Sequence, residues 1–296
     1  MKSKIILVTG GAGFIGSNLI ELLLSETKEN IISLDNYSTG NKQNQIKNTR
    51  VKYLNGDTNN ISKLLDIYKK RIIITFHFGE YSRIHQSFED IEKCYHSNIS
   101  GTSKVFHFCL KNKIKIIYSA TSASLGNKGI DQSLSPYALS KSNNLNLLMH
   151  MKKWFAINYE ALYFYNVYGN KQISEGKMAT VIGIFEKQYL QNIAITIVRP
   201  GTQSRKFTHV DDTTRGCYFA WKKDLQRHYA ISNLQSYSIK CVAKMFSSNI
   251  KFAKKRLGER YKSTIVGKIG KLKIYRIPCT ISLKKYINNF KVNNPK

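Results

Sequence analysis

No apolar run in this chain approaches the roughly 18 residues of a membrane-spanning helix, so no span is expected. Met1-Lys2-Ser3-Lys4 leads at once into Ile5-Ile6-Leu7-Val8 and a glycine cluster. A secretory signal needs a longer apolar stretch and a small-residue cleavage site, so none is expected. The 5 cysteines (Cys94, Cys109, Cys217, Cys241, Cys279) are widely spaced, with no CxxC pair. That excludes the common zinc spacings and a dense disulfide framework, and it points to reduced thiols in the cytoplasm with no metal site. With 4 prolines and no internal repeat or low-complexity linker, the 296 residues suit one large α/β domain, alone or with a smaller lobe.

Acidic residues are scarce: 18 stand against 47 Lys and Arg, a net charge of +29. A cationic surface of this size can serve nucleic acid or an anionic membrane. Composition offers a second source, because 37 Lys, 35 Ile and 25 Asn all use A/T-rich codons. From Asn233 to the end, 16 basic residues face Glu259 alone, yet they are scattered rather than blocked. This pattern favours compositional drift over a nucleic-acid stripe, and neither nucleic acid nor membrane is expected as a partner.

Short apolar runs at Ile5–Val8, Ile31–Leu34, Val51–Leu54, Ile72–Phe78, Ile114–Tyr118 and Ala161–Phe164 read as buried strands. Segments 14–25, 60–70, 98–112 and 137–156 read as helices between them. Such alternation predicts a doubly wound parallel sheet of Rossmann type. After Tyr168 the rhythm loosens into a smaller C-terminal substrate lobe. The expected division is 1–166 with 203–229 for the nucleotide domain, and 167–202 with 230–296 for the lobe.

Thr9-Gly10-Gly11-Ala12-Gly13-Phe14-Ile15-Gly16 follows the first strand directly. Gly10, Gly13 and Gly16 at GxxGxxG spacing permit a tight turn and close approach of a pyrophosphate to a helix N-terminus. The second strand ends in Asp35-Asn36, where a carboxylate can accept from ribose hydroxyls and repel a 2′-phosphate, which selects NAD over NADP. Gly56-Asp57 follows the third strand, within reach of an adenine amino group. Farther on, Ser135-Pro136 can start a helix, which places Tyr137 and Lys141 four residues apart on one face. A free tyrosine, with a pKa near about 10, is a poor base at neutral pH. A neighbouring ammonium and a cationic nicotinamide ring would favour its phenolate.

Together these motifs resemble the extended short-chain dehydrogenase/reductases, specifically the NAD-dependent nucleotide-sugar epimerase/dehydratase family. The resemblance runs through His77-Phe78-Gly79, Asn98, Tyr118-Ser119-Ala120-Thr121, Tyr137, Lys141, Phe164-Tyr165-Asn166, Gln203-Ser204-Arg205, Phe207-Thr208-His209-Val210-Asp211-Asp212 and Arg256-Leu257-Gly258-Glu259. It implies a catalytic set of Thr121, Tyr137 and Lys141. It also implies an NAD site of Gly10, Gly13, Phe14, Ile15, Gly16, Asp35, Asn36, Asp57, Phe78, Gly79, Asn98, Tyr137 and Lys141. Thr121, Tyr137, Asn166, Arg205 and Arg256 would meet a nucleotide-sugar substrate, and a homodimer is expected.

Departures from the family pattern bear on the reaction. Dehydratases carry Asp-Glu after the catalytic Thr, where this chain has Ser122-Ala123. Leu125 replaces a Tyr, Tyr163 an Arg, and Lys206 an acidic residue. Glu80 and Arg83 stand where small or apolar residues are common, and Glu80 is the acid that could serve a dehydratase instead. The expected reaction is therefore C4 epimerisation like that of UDP-glucose 4-epimerase. A 4,6-dehydratase, decarboxylase or ketosugar reductase is the alternative within the family. A catalytically weak NAD-fold protein that binds nucleic acid is the alternative of another class.

Overall fold

The computed structural model describes residues 3–255, 258, 267–269 and 271–295. Eight strands run parallel: β1 (Ile5–Thr9), β2 (Asn30–Asp35), β3 (Val51–Asn55), β4 (Ile72–His77), β5 (Lys115–Thr121), β6 (Tyr159–Phe164), β7 (His228–Ile231) and β8 (Leu272–Ile277). Their order is β8-β7-β6-β5-β4-β1-β2-β3, and Lys268–Ile269 adds an antiparallel edge to β8. The order reverses between β1 and β4. Ligands of open α/β sheets bind at such a reversal, beyond the carboxyl ends of the strands.

Seven helices matter here: α1 (Phe14–Glu26), α2 (Thr102–Lys111), α3 (Pro136–Phe155), α4 (Val181–Leu190), α5 (Val210–Lys223), α6 (Ile239–Phe246) and α7 (Leu283–Asn293). Strand periodicity distributes them over both faces of the sheet. Ile5 and Leu7 of β1 join the core built with α2 and α3, whereas Ile6 and Val8 join the core built with α1 and α5. A third apolar cluster, with Phe185, Ile197, Val242, Phe246 and Ile287, joins α4, α6 and α7 into a separate body of side chains beside the sheet. Ile195–Val198 pairs with Ile250–Ala253 within that region.

Three expectations change. The helix predicted over 60–70 is helical only at Ile61–Leu64. Tyr68 and Lys69 both donate to the Leu65 carbonyl and close the chain into turns, while Ile67 stays 78% exposed. The helix predicted from 98 begins as a widened π-turn at His96–Gly101 before α2. Leu272–Ile277, read as part of the smaller lobe, is instead β8 of the main sheet, where it pairs with β7 and buries Ile274 in the α2–α3 core.

Candidate functional site

The loop after β1 is shaped by two glycines. Gly10 has φ +71°, and a Cβ there would lie 2.8 Å from the Phe78 and Gly79 backbone. A Cβ at Gly16 would collide with the Gly10 carbonyl. Helix α1 thus starts tightly against β1, with its amides open to a phosphate. Gly10, Gly13, Phe14, Ile15 and Gly16 all line one large cleft, together with Asp35, Asn36, Phe78 and Gly79.

Asp35 is buried at the tip of β2. Its Oδ2 accepts from Ala12 N at 2.9 Å and its Oδ1 from Tyr37 N at 2.8 Å. Burial pushes its carboxyl above the usual range, and the amides of Tyr37, Ala12 and Gly13 partly offset this. Each oxygen keeps lone-pair capacity for a ribose hydroxyl. A Cβ on Gly40 would come within 2.8 Å of Asp35 Oδ1, so the bare backbone leaves that carboxylate open. These features fit an adenosine dinucleotide.

Asp57 and Asn98 do not line the cleft. Asp57 caps the Thr58–Asn60 turn through Asn59 N at 2.8 Å and takes Asn36 Nδ2 at 2.9 Å. Burial raises its carboxyl, but these hydrogen bonds outweigh burial and hold it low. Asn98 is fully buried. Its Nδ2 donates to Tyr81 O and Ser140 Oγ, and its Oδ1 accepts from Tyr81 N at 2.6 Å. The side-chain polar atoms of Asn98 fix the loop after β4, a placement that the sequence pattern alone could not reveal.

At the other end of the cleft stand Thr121, Tyr137 and Lys141. Thr121 ends β5 and accepts from Ala123 N at 3.2 Å. Ser135 caps α3 through Ala138 N at 3.1 Å, with Pro136 at its first turn, so Tyr137 and Lys141 share a helix face as read from sequence. Ser87 Oγ accepts from Tyr137 N at 3.2 Å and ties the helix start to the β4 loop. Lys141 donates to Ser119 O and to Glu80 Oε2. Glu80 Oε1 accepts from Thr102 Oγ1 at 2.9 Å, Asn144 Nδ2 at 3.0 Å and Tyr118 OH at 3.2 Å. The reading of Glu80 as a replacement acid or base is corrected, because its carboxylate is 2% exposed and engaged at both oxygens. Motif reading named both Glu80 and Ser119 but not their hydrogen bonds from Lys141. An acid among apolar neighbours after His77 was the one available signal.

Asn166 and Arg205 also line the cleft, but Asn166 Nδ2 is already donated to Lys206 O at 2.8 Å. Arg205 is buried, with Nη1 on Ser204 O at 2.9 Å. Gln203 lies beside it, 2% exposed. Its Nε2 is on Val198 O, and its buried Oε1 has no partner among the described residues. Arg256 lies outside the described residues.

This cleft and fold agree with what the chain resembles. The chain belongs to the NAD dependent epimerase/dehydratase family, whose model matches residues 6–233. Its cofactor is NAD, as in that family. A UDP-glucuronic acid 4-epimerase variant from Bacillus cereus, solved with NAD and UDP-4-deoxy-4-fluoro-glucuronic acid, is 28% identical with a TM-score of 0.82; the match covers 96% of this chain and 99% of that one. The ADP-L-glycero-D-manno-heptose-6-epimerase of Brachyspira hyodysenteriae is 28% identical over 70% of this chain and 69% of its own. The dTDP-D-glucose 4,6-dehydratase of Dictyostelium discoideum is 30% identical over 70% of this chain and 53% of its own. No helix among the described residues is long and apolar enough to cross a membrane.

Proposed function

We propose that this protein interconverts C4 epimers of a nucleotide sugar. One observation carries the reading: Thr121, Tyr137 and Lys141 open on the same cleft as the Gly10–Asp35 groove, with no free carboxylate beside them among the described residues. Among the described residues of the cleft the carboxylates are Asp35, at the far end, and the fully engaged Glu80. Dehydration across C5 and C6 needs a base for the C5 proton and an acid for the departing hydroxyl. Ser122 and Ala123, both buried next to Thr121, cannot titrate in those roles.

In this reading Tyr137 takes the proton of the C4 hydroxyl and returns it, while Thr121 hydrogen-bonds the sugar oxygen and holds it in line. Bound NAD supplies the hydride acceptor and donor. Asn166 and Arg205 face the nucleotide pyrophosphate, for which a planar guanidinium suits bidentate contact. The smaller lobe closes over the sugar, and the enzyme works as a cytoplasmic homodimer. Its 5 cysteines as free thiols suit a reducing compartment.

The test is a panel of UDP-, dTDP- and GDP-sugars incubated in deuterated water and read by NMR. An epimerase returns a C4 epimer without solvent deuterium, because the hydride stays on the cofactor. A 4-keto-6-deoxy product carrying deuterium would replace this reading with dehydration.

A further inference from the structure

Lys141 is spoken for before any cofactor arrives. Its ammonium donates to Glu80 Oε2, to Ser119 O and, at 3.4 Å, to Ser119 Oγ, which accounts for its three hydrogens. It also stands 4.9 Å from the centre of the Tyr118 ring. The two side chains are 5% and 2% exposed, so bulk water does not screen the pair. Glu80 is in turn fixed from three sides, by Thr102 on α2, Tyr118 on β5 and Asn144 on α3.

The other groups around the pair add no second negative charge. From β4, His77 sits between Thr9 Oγ1 and Thr102 Oγ1, and burial keeps it neutral, with its pKa pulled down to about 4. From the helix at Ile91–Tyr95, burial pushes the Cys94 thiol up to about 11. Burial holds the Tyr118 hydroxyl well above its ordinary range. Tyr137 comes from α3, and beyond it lies Arg83, whose guanidinium is held by the carbonyls of Met178 and Ser82. Glu80 is thus the anion that answers Lys141 among the described residues facing it.

We propose that Glu80 is a positioning residue that sets the charge of the hydride-transfer end of the cleft, by holding Lys141 through its ammonium and offsetting part of that ammonium's charge. The inference rests on Tyr137 and Lys141 being the reacting pair of the proposed function. A lone buried ammonium would favour the neutral, reduced nicotinamide over the cationic, oxidised one. With Glu80 in place the two forms are held on more equal terms, which suits a reaction that must run the hydride both ways.

The experiment compares dissociation constants of NAD and NADH, by calorimetry on the apoprotein, for the parent, Glu80→Gln and Glu80→Asp. Glu80→Gln removes one charge with little change of shape. It is expected to move the NAD-to-NADH ratio of dissociation constants toward NADH by roughly tenfold, as a unit charge about 10 Å away does at an effective dielectric near 20. Glu80→Asp keeps the charge, and its ratio is expected within about twofold of the parent even where both affinities fall. If Glu80→Gln weakens both forms equally and leaves the ratio unmoved, Glu80 is only structural and the proposal is wrong. Should the Gln variant not fold, melting of Lys141→Met against the Lys141→Met/Glu80→Met double decides. An unpaired buried carboxylate predicts that the single variant melts lower than the double, whereas equal melting overturns the pairing. None of these readouts needs turnover. A shifted ratio without epimerase activity would sink the reaction reading alone.

Discussion

Acid should unfold this protein earlier than its carboxylates require, because two histidines are buried neutral in the sheet. His77 is fully buried between two threonine hydroxyls. His228 is 4% exposed, with Tyr159 OH at 2.9 Å from Nε2 and Tyr163 OH at 3.1 Å from Nδ1. Burial is the main cause that pulls each down to about 4, with Lys141 adding to it at His77 and Lys152 at His228. The unfolded chain holds a histidine near about 6.5. Unfolded protein therefore takes up protons first as the pH falls. The stability is whole above about pH 6.5 and drains away as the pH drops through about 4, by about 3 kcal/mol for each group. By pH 5 about 2 kcal/mol of each contribution is gone, a large part of a total stability of about 5–15 kcal/mol.

Asp35 and Glu186, both raised by burial, oppose this trend, and His209, lowered by burial, adds to it. A difference between variants cancels these common contributions. Urea unfolding at pH 7.5 and pH 5.0, followed by circular dichroism, should show the parent losing more than His228→Gln by about 2 kcal/mol. Equal losses in the two proteins would refute the reasoning, as would a downfield imidazole titration of His228 near pH 6.5 in the folded state.

Three further outcomes test the site. Gly16→Ala should weaken NAD binding at least tenfold and lower the melting temperature, because its Cβ has no room against the Gly10 carbonyl; calorimetry and thermal melting check both. Asp35→Asn should lose the parent's discrimination against NADP, since the like charge facing a 2′-phosphate disappears; unchanged discrimination in a binding titration would remove Asp35 from that role. Tyr137→Phe should retain the fold and NAD affinity and lose at least about a hundredfold in rate, read as epimer formation per unit time.

The sequence by itself determined the doubly wound sheet and one end of the site. Alternating apolar runs place Ile5 with Leu7 and Ile6 with Val8 on opposite faces, and such periodicity is local. Gly10, Gly16 and Asp35 were legible for the same reason: turn, helix start and strand tip follow within one βαβ unit. The four-residue spacing of Tyr137 and Lys141 needed only a capped helix. Tertiary structure decided the rest. Asn98 carries a motif residue's name but spends its amide on Tyr81 and Ser140, a pairing set by packing of the π-turn against α3. Leu272–Ile277 has a strand's composition, yet only its register beside β7 makes it part of the main sheet. Glu80 is the sharpest case. Its four partners come from positions 102, 118, 141 and 144, so no local window contains them. Whether an acid after β4 reads as catalyst or counter-ion depends on which donors folding brings within 3 Å or so of its oxygens, and those donors are distant in the chain.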